Sequence, residues 1–180
     1  CLDKTGTLTH GRPAVTDVIA AVDSTPEDVL RVAAAVEAGS EHPIAKAVLA
    51  RAAADGLEPA TAEGFHAVPG KGAGGRVGGL RVLVGSAACL AEHGIDLAPL
   101  ETRLGVWRNE GKTTVLVAVE GALRGALAVA DTLKPEAASV VRTLEAMGLH
   151  VVMITGDHEL TARAIAREAG IRDVRAGVLP

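Results

Sequence analysis

An α/β fold carrying an inserted α+β domain is predicted by three features of the sequence. Residues 131–180 alternate short apolar strands with amphipathic helices, the pattern of a parallel, doubly wound sheet. Residues 13–129 change grammar, with helical-hairpin signals followed by glycine-punctuated strands, the pattern of an antiparallel sheet. The chain opens on "CLDKTGTLTHGRP", an apolar stub running into an acid, which reads as the end of a strand. The expected division is therefore a first segment over 1–12, an insert over 13–129 and a second segment over 130–180.

Composition narrows the function classes. A chain of 180 residues, 48% hydrophobic and 22% charged, can bury a core and is not disordered. One Phe, one Trp and no Tyr leave that core to Val, Leu, Ile and Ala, and remove the stacking platforms of single-strand binders. The net charge of −4 removes the basic footprint of a nucleic-acid partner. The two cysteines, Cys1 and Cys89, make no disulfide framework. Cys89 and His93 stand four apart on an expected helix, so they read either as two metal ligands or as a buried thiol with a neighbour. No apolar run reaches the ~18 residues of a membrane span. The best run, 113–130, is broken by Glu120 and Arg124. With no signal peptide, a soluble chain in a reducing compartment is expected.

The elements follow in order. "PAVTDVIAAV" is β-branched and suits a strand. "STPEDVLRVAAAVEAG" is a helix capped by Thr25, with Pro26 in its first turn and Glu27 and Asp28 at the positive end of its dipole. Val29, Val32, Ala33 and Val36 form its apolar stripe, and Gly39 is expected to stop it. A second helix over 43–55 completes a helical hairpin. "RVGGLRVLV" predicts a β-hairpin about Gly78-Gly79, and "TTVLVAVEGALRGALAVA" another about Glu120-Gly121. Helices are expected over 87–93 and 97–110. Then come the helix "KPEAASVVRTLEAMG", the strand "LHVVMI", the helix "ELTARAIAREAG" and a last strand in "DVRAGVLP".

Ligands of doubly wound sheets gather beyond the carboxyl ends of the strands. "VVMITGD" places Thr155 and the amides beyond it at such an end, a seat for phosphate. The plainer alternative is that Thr155 or Asp157 caps the following helix. Asp3 is likewise either a turn residue beside a positive-φ Gly6 or an acid facing that seat. Taken together, an acid opposite a phosphate seat suits carboxylate nucleophilic catalysis with Mg²⁺.

"DKTGTLT", "SEHP", "GKG" and "TGD", in this order, resemble the cytoplasmic catalytic loop of the P-type ATPases, and "SEHPIAKAV" resembles the heavy-metal-transporting branch. The resemblance covers essentially the whole chain. It implies a partial haloacid-dehalogenase-like Rossmann-type domain interrupted by a nucleotide-binding domain. It implies that Asp3 accepts the γ-phosphoryl group of ATP, that the Thr5 carbonyl and Asp3 hold Mg²⁺, and that Thr155 holds phosphoryl oxygens. Lys4 and Asp157 fall in the same catalytic set. Related phosphatases carry an acid two residues after the nucleophile; here that place is Thr5, which does no acid–base work near neutral pH. A long-lived phosphoenzyme is expected, which favours a pump over a soluble phosphatase.

In the insert, the resemblance implies that Glu37 accepts from the adenine amine and that His42 stacks on the ring. The alternative for His42 is a helix N-cap beside Ser40. Gly70, Gly72 and Gly85 are implied nucleotide contacts, where missing side chains let backbone approach closely. Ser86, Ala73 and Gly74 depart from the family's usual residues. Asp131 and Lys134 match a hinge region, or form a solvated loop before a helix. The implied partners are ATP or ADP, the membrane domain of the same parent polypeptide and a transported cation bound there, Cu⁺ first and Zn²⁺-type ions second. The implied location is the cytoplasmic face of a bacterial plasma membrane. The chain ends where the family places a phosphate-binding lysine, before its "GDGxND" loop, so poor ATP turnover by this polypeptide is expected. A nucleotide-binding module without catalysis is the remaining alternative.

Overall fold

The structure, a computed structural model, describes residues 1–157 and 159–178. In chain order its elements are β1 (Leu2–Asp3), β2 (Thr9–Ala20), α1 (Pro26–Glu37), α2 (Pro43–Ala54), β3 (Glu63–Val68), β4 (Gly72–Val77), β5 (Leu80–Gly85), α3 (Ala87–Glu92), α4 (Glu101–Asn109), β6 (Thr113–Val119), β7 (Ala122–Leu133), α5 (Ala137–Ala146), β8 (Val152–Ile154), α6 (Glu159–Ala169) and β9 (Asp173–Arg175). The chain divides into two compact units. A terminal unit comprises Cys1–Pro13, Arg108–Lys112 and Ala130–Pro180, and a middle unit comprises Ala14–Trp107 and Thr113–Val129. The fold class is the expected α/β, a parallel sheet in one unit and an antiparallel sheet in the other.

The terminal unit is built on the parallel sheet β1-β8-β9. Met153 on the central strand is fully buried among Val141 of α5 and Ala162, Ile165 and Ala166 of α6, with Leu8 joining the same cluster. The amphipathic helices therefore owe their stability to this shared apolar face rather than to propensity alone.

In the middle unit the strand order is β2-β7-β6-β5-β4-β3. β6 shows why its sequence is apolar without a break. Val115, Val117 and Val119 face the cluster under α1 and α2, while Leu116 and Ala118 face the cluster holding Cys89, Leu90, Leu104 and Trp107. With both faces covered, no polar alternation is needed. The hairpin turns fall as expected, with positive φ at Gly78, Gly79, Glu120 and Gly121. The Thr25 hydroxyl accepts from the Asp28 amide (3.2 Å) and starts α1, with Pro26 in its first turn.

Several boundaries differ from expectation. β2 begins at Thr9 and β7 runs on to Leu133, each 12 residues long, because pairing within the sheet carries them past their β-prone stretches. The helix expected over 97–110 begins with a tight 3₁₀ turn, Ala98–Leu100, before α4. The expected strand "LHVVMI" is strand only at Val152–Ile154; Leu149 is exposed. Gly39 does not end α1 by a left-handed turn: its φ is not positive. Leu179 and Pro180, the end of the expected last strand, lie outside the described residues.

Candidate active site

In the terminal unit, β1 and β8 run parallel with Asp3 opposite Ile154, so the next residue along β8 is Thr155. The acid and the hydroxyl thus stand at the carboxyl edge of adjacent strands. Asp3 is exposed, whereas Thr155 is buried at 4% exposure. The Thr155 hydroxyl accepts from the Asp157 amide (3.2 Å), and the Thr155 amide donates to the Arg175 carbonyl (3.0 Å). The loop after β8 is tied back further, with the Gly177 amide donating to the Asp157 carbonyl (3.0 Å) and the Val178 amide to the Thr155 carbonyl (3.1 Å).

After Asp3 the chain makes a tight turn. Thr5 (φ −77°, ψ 119°) and Gly6 (φ +78°, ψ −11°) occupy the two central positions of a type II turn, whose second position demands the φ that glycine adopts without strain. Lys4 is 4% exposed, and its ammonium lies 2.6 Å from Asp157 Oδ2 and 3.8 Å from Asp131 Oδ2. The Asp3 carboxylate is therefore not the partner of its neighbouring lysine, which leaves its charge available to an incoming group.

Asp131 and Lys134 are not a solvated loop. Asp131 closes the far end of β7, accepting from Thr9 Oγ1 and from the Gly11 and Arg12 amides (3.0 and 3.3 Å). Lys134 donates from its amide to the Leu8 carbonyl (2.9 Å) and from Nζ to the Gly6 carbonyl (2.9 Å). Local pattern gave no sign of these ties, because their partners lie far away along the chain.

The residues fit Mg²⁺ in kind. The Asp3 carboxylate and the Thr5 carbonyl are hard oxygen donors, and this ion is commonly held by one or two carboxylates with substrate phosphates completing the shell. No cluster of three or more His, Cys, Asp or Glu occurs among the described residues. The Cys89–His93 pair is accounted for otherwise: Cys89 is buried, and His93 Nδ1 lies 2.8 Å from the Cys89 carbonyl. Burial first, and the Glu92 charge second, push the Cys89 thiol above its ordinary value, so it is an inert packing group.

In the middle unit, Glu37 ends α1 and is 7% exposed, while His42 is exposed and caps α2. The His42 Nδ1 accepts from the Ile44 amide (3.2 Å), which assigns the proton of the neutral ring to Nε2. The cap reading is thus correct, and it is compatible with the exposure of the residue. The His42 amide in turn donates to Ser40 Oγ (3.2 Å). Gly70 lies in the β3–β4 turn with φ +68° and open space where a Cβ would stand. Gly72 and Gly85 are cross-strand partners, and a Cβ on Gly72 would strike the Val84 carbonyl and lie 2.6 Å from Gly85 Cα. Close strand approach is sufficient reason for that pair. Lys71, between Gly70 and Gly72, is held by Glu92 (2.6 Å).

Burial raises the Glu37 carboxyl above its ordinary value, against a smaller opposite pull from Ser40. The folded chain therefore holds this proton more tightly than the unfolded chain, so Glu37 lowers stability as pH rises from the ordinary carboxylate range toward neutrality. Glu37→Gln is expected to melt at higher temperature than wild type at neutral pH, with the gap closing in acid. Thermal melts across that range check this.

The sequence profile of the haloacid dehalogenase-like hydrolases matches residues 1–179. The copper-transporting P-type ATPase of Rhizobium leguminosarum bv. viciae is 47% identical over 180 residues, covering 99% of this chain and 21% of that protein. The chain thus spans about a fifth of the length of the curated relatives it matches. A zinc-transporting PIB-type ATPase, solved in the E2.Pi state, superposes with a TM-score of 0.91 at 37% identity, over 98% of this chain and 28% of that one. The N-domain of HMA8, a copper-transporting P-type ATPase, superposes with a TM-score of 0.57 at 30% identity, over 65% of this chain and 99% of that one. The profile over nearly its whole length establishes that the chain belongs to the haloacid dehalogenase-like hydrolases, and within its span it is similar to parts of metal-transporting P-type ATPases.

Proposed function

We propose that this chain is the ATP-binding and phosphoryl-accepting part of a heavy-metal cation pump, with Cu⁺ as the first candidate cargo. The observation that carries the reading is the register that sets Asp3 beside Ile154, one residue short of the buried Thr155. A carboxylate oxygen of Asp3 attacks the γ-phosphorus of ATP, the bond from that phosphorus to the β–γ bridging oxygen breaks, and ADP leaves. Thr155 and the amides after it receive phosphoryl oxygens. The Asp3 carboxylate and the Thr5 carbonyl would hold Mg²⁺, which would supply charge neutralisation. Lys4, fixed by Asp157 and Asp131, holds the turn after the nucleophile in place.

In the middle unit, Glu37 accepts from the adenine amine and the exposed His42 stacks on the purine. Gly70, Gly72 and Gly85 give the phosphates and ribose close backbone. Thr5 offers no general base two residues after the nucleophile, so water is not activated against the acyl phosphate and the phosphoenzyme persists. The energy of that state drives the membrane domain of the parent polypeptide, with this part on the cytoplasmic side. Among the described residues no helix is long and apolar enough to cross a membrane.

The test is phosphoenzyme formation in the membrane-embedded parent incubated with radiolabelled ATP and Cu⁺. A hydroxylamine-labile label is expected, reduced at least about a hundredfold by Asp3→Asn. A label retained in Asp3→Asn overturns the assignment.

A further inference from the structure

Phe65 is the single phenylalanine of the chain and remains 37% exposed. It lies on β3, the edge strand of the six-stranded sheet, where the pairing with β4 shifts register between Glu63 and His66. Gly64 precedes it with φ +61°. A bulge of this kind bends a strand and re-aims a side chain, and bulges collect at sheet edges beside functional sites.

The ring is aimed at Gly39. A Cβ built on Gly39 would fall 2.7 Å from Phe65 Cγ, 2.8 Å from Cδ2 and 3.1 Å from Cδ1. The φ of Gly39 is not positive, so its backbone conformation does not ask for glycine. What asks for glycine is the aromatic ring packed on its bare Cα.

Gly39 sits in the turn between Glu37 and His42. That turn is closed internally, the Ser40 amide donating to the Glu37 carbonyl (2.9 Å) and the Gly39 amide to the Val36 carbonyl (3.2 Å). Yet Ala38, Gly39, Glu41 and His42 are all exposed, so their side chains do not anchor it in the core. Phe65 supplies the apolar cover from outside. Its own strand leads within five residues to Gly70 and then to Gly72. One ring therefore joins the segment carrying Glu37 and His42 to the segment carrying the glycine turn.

We propose that Phe65, seated on Gly39, is a positioning residue for nucleotide binding, holding the two halves of the site in register before the ligand arrives. The inference rests on the reading that Glu37 and His42 hold adenine. Its physical content is preorganisation: with the ring removed, binding must order a turn that the free protein leaves loose.

The experiment is calorimetric titration of the 180-residue chain with ATP, using wild type, Phe65→Ala, Phe65→Leu, Gly39→Ala and His42→Ala, with a thermal melt of each. Phe65→Ala and Gly39→Ala are expected to weaken ATP about tenfold, and Phe65→Leu, which keeps apolar cover, about threefold. In the full-length parent, Phe65→Ala should raise the KM for ATP while the phosphoenzyme level at saturating ATP stays at that of wild type. A ring that serves stability alone would lower the melting temperature and leave the affinity of the folded protein unchanged. Wild-type affinity in both Phe65→Leu and Gly39→Ala, beside weakened binding in His42→Ala, overturns the inference and spares the adenine reading. Unaltered binding in His42→Ala overturns that reading itself. If Phe65→Ala does not fold, Phe65→Leu and Gly39→Ala decide the matter.

Discussion

Lys4→Met is expected to destabilise the terminal unit by about 2–3 kcal/mol. The ammonium is buried between two acids, 2.6 Å from Asp157 and 3.8 Å from Asp131. Removing one partner of a fully buried ion pair costs ~3–5 kcal/mol, because the other charge is left uncompensated. Here Asp157 is 35% exposed and regains some water, which brings the figure below that range. Asp131 has less relief, at 15% exposure, although Thr9 and the Gly11 and Arg12 amides still serve it. Methionine keeps most of the apolar stem, so Lys4→Met isolates the charge, and Lys4→Ala adds the packing loss. Denaturant unfolding read by hydrogen exchange at β8 and α6 would locate the effect in the terminal unit. A Lys4→Met protein as stable as wild type would mean that the triad contributes nothing to the fold.

The middle unit should suffer at least as much from Gly125→Ala, a loss of about 3 kcal/mol or more. Gly125 pairs with Val117 beside a register shift between β6 and β7. A Cβ there would strike the Ile19 carbonyl and stand 2.5 Å from Val29 Cγ2 and 2.9 Å from Cγ1. Ile19 belongs to β2 and Val29 is fully buried in α1, so neither a backbone oxygen nor a packed core side chain can yield cheaply. Overpacking of a filled core ordinarily costs ~1–3 kcal/mol, and a backbone obstruction adds to it. The substitution adds one methyl group and no strained φ, since the glycine does not use positive φ. A midpoint within error of wild type in urea unfolding would show that α1 can lift off the sheet without penalty.

Much of this architecture is written locally. Thr25 and Pro26 mark where α1 begins, because a cap needs only a hydroxyl and a fixed φ three residues before the amide it serves. The Gly78-Gly79 and Glu120-Gly121 turns follow from two residues each. The alternation of strand and helix after residue 131 is enough to set Thr155 just past the end of a strand, β8, which pairs with the strand carrying Asp3.

What escaped notice depends on partners distant in the chain. Asp131 reads as an acid in a loop until Thr9, more than a hundred positions earlier, is seen beside it. Lys4 reads as one of the catalytic set, with nothing in its neighbours to announce that it is among the most buried charged groups of the described residues. Gly39 looked like a helix terminator because glycines after helices usually are, and its true reason is an aromatic ring from a strand 26 positions on. No window of local sequence contains these pairs. Each is a consequence of tertiary register rather than of propensity.

The kink that swings the lone phenylalanine toward α1 also governs what happens at the rim of the sheet. β3 is the last strand on its side, and a long straight rim of unpaired amides and carbonyls invites another molecule to zip on and begin a fibre. With the pleat broken at Gly64, the hydrogen-bonding row lacks the continuity such a guest needs. The bend that turns the ring toward Gly39 therefore also makes this rim a poorer template for a guest strand.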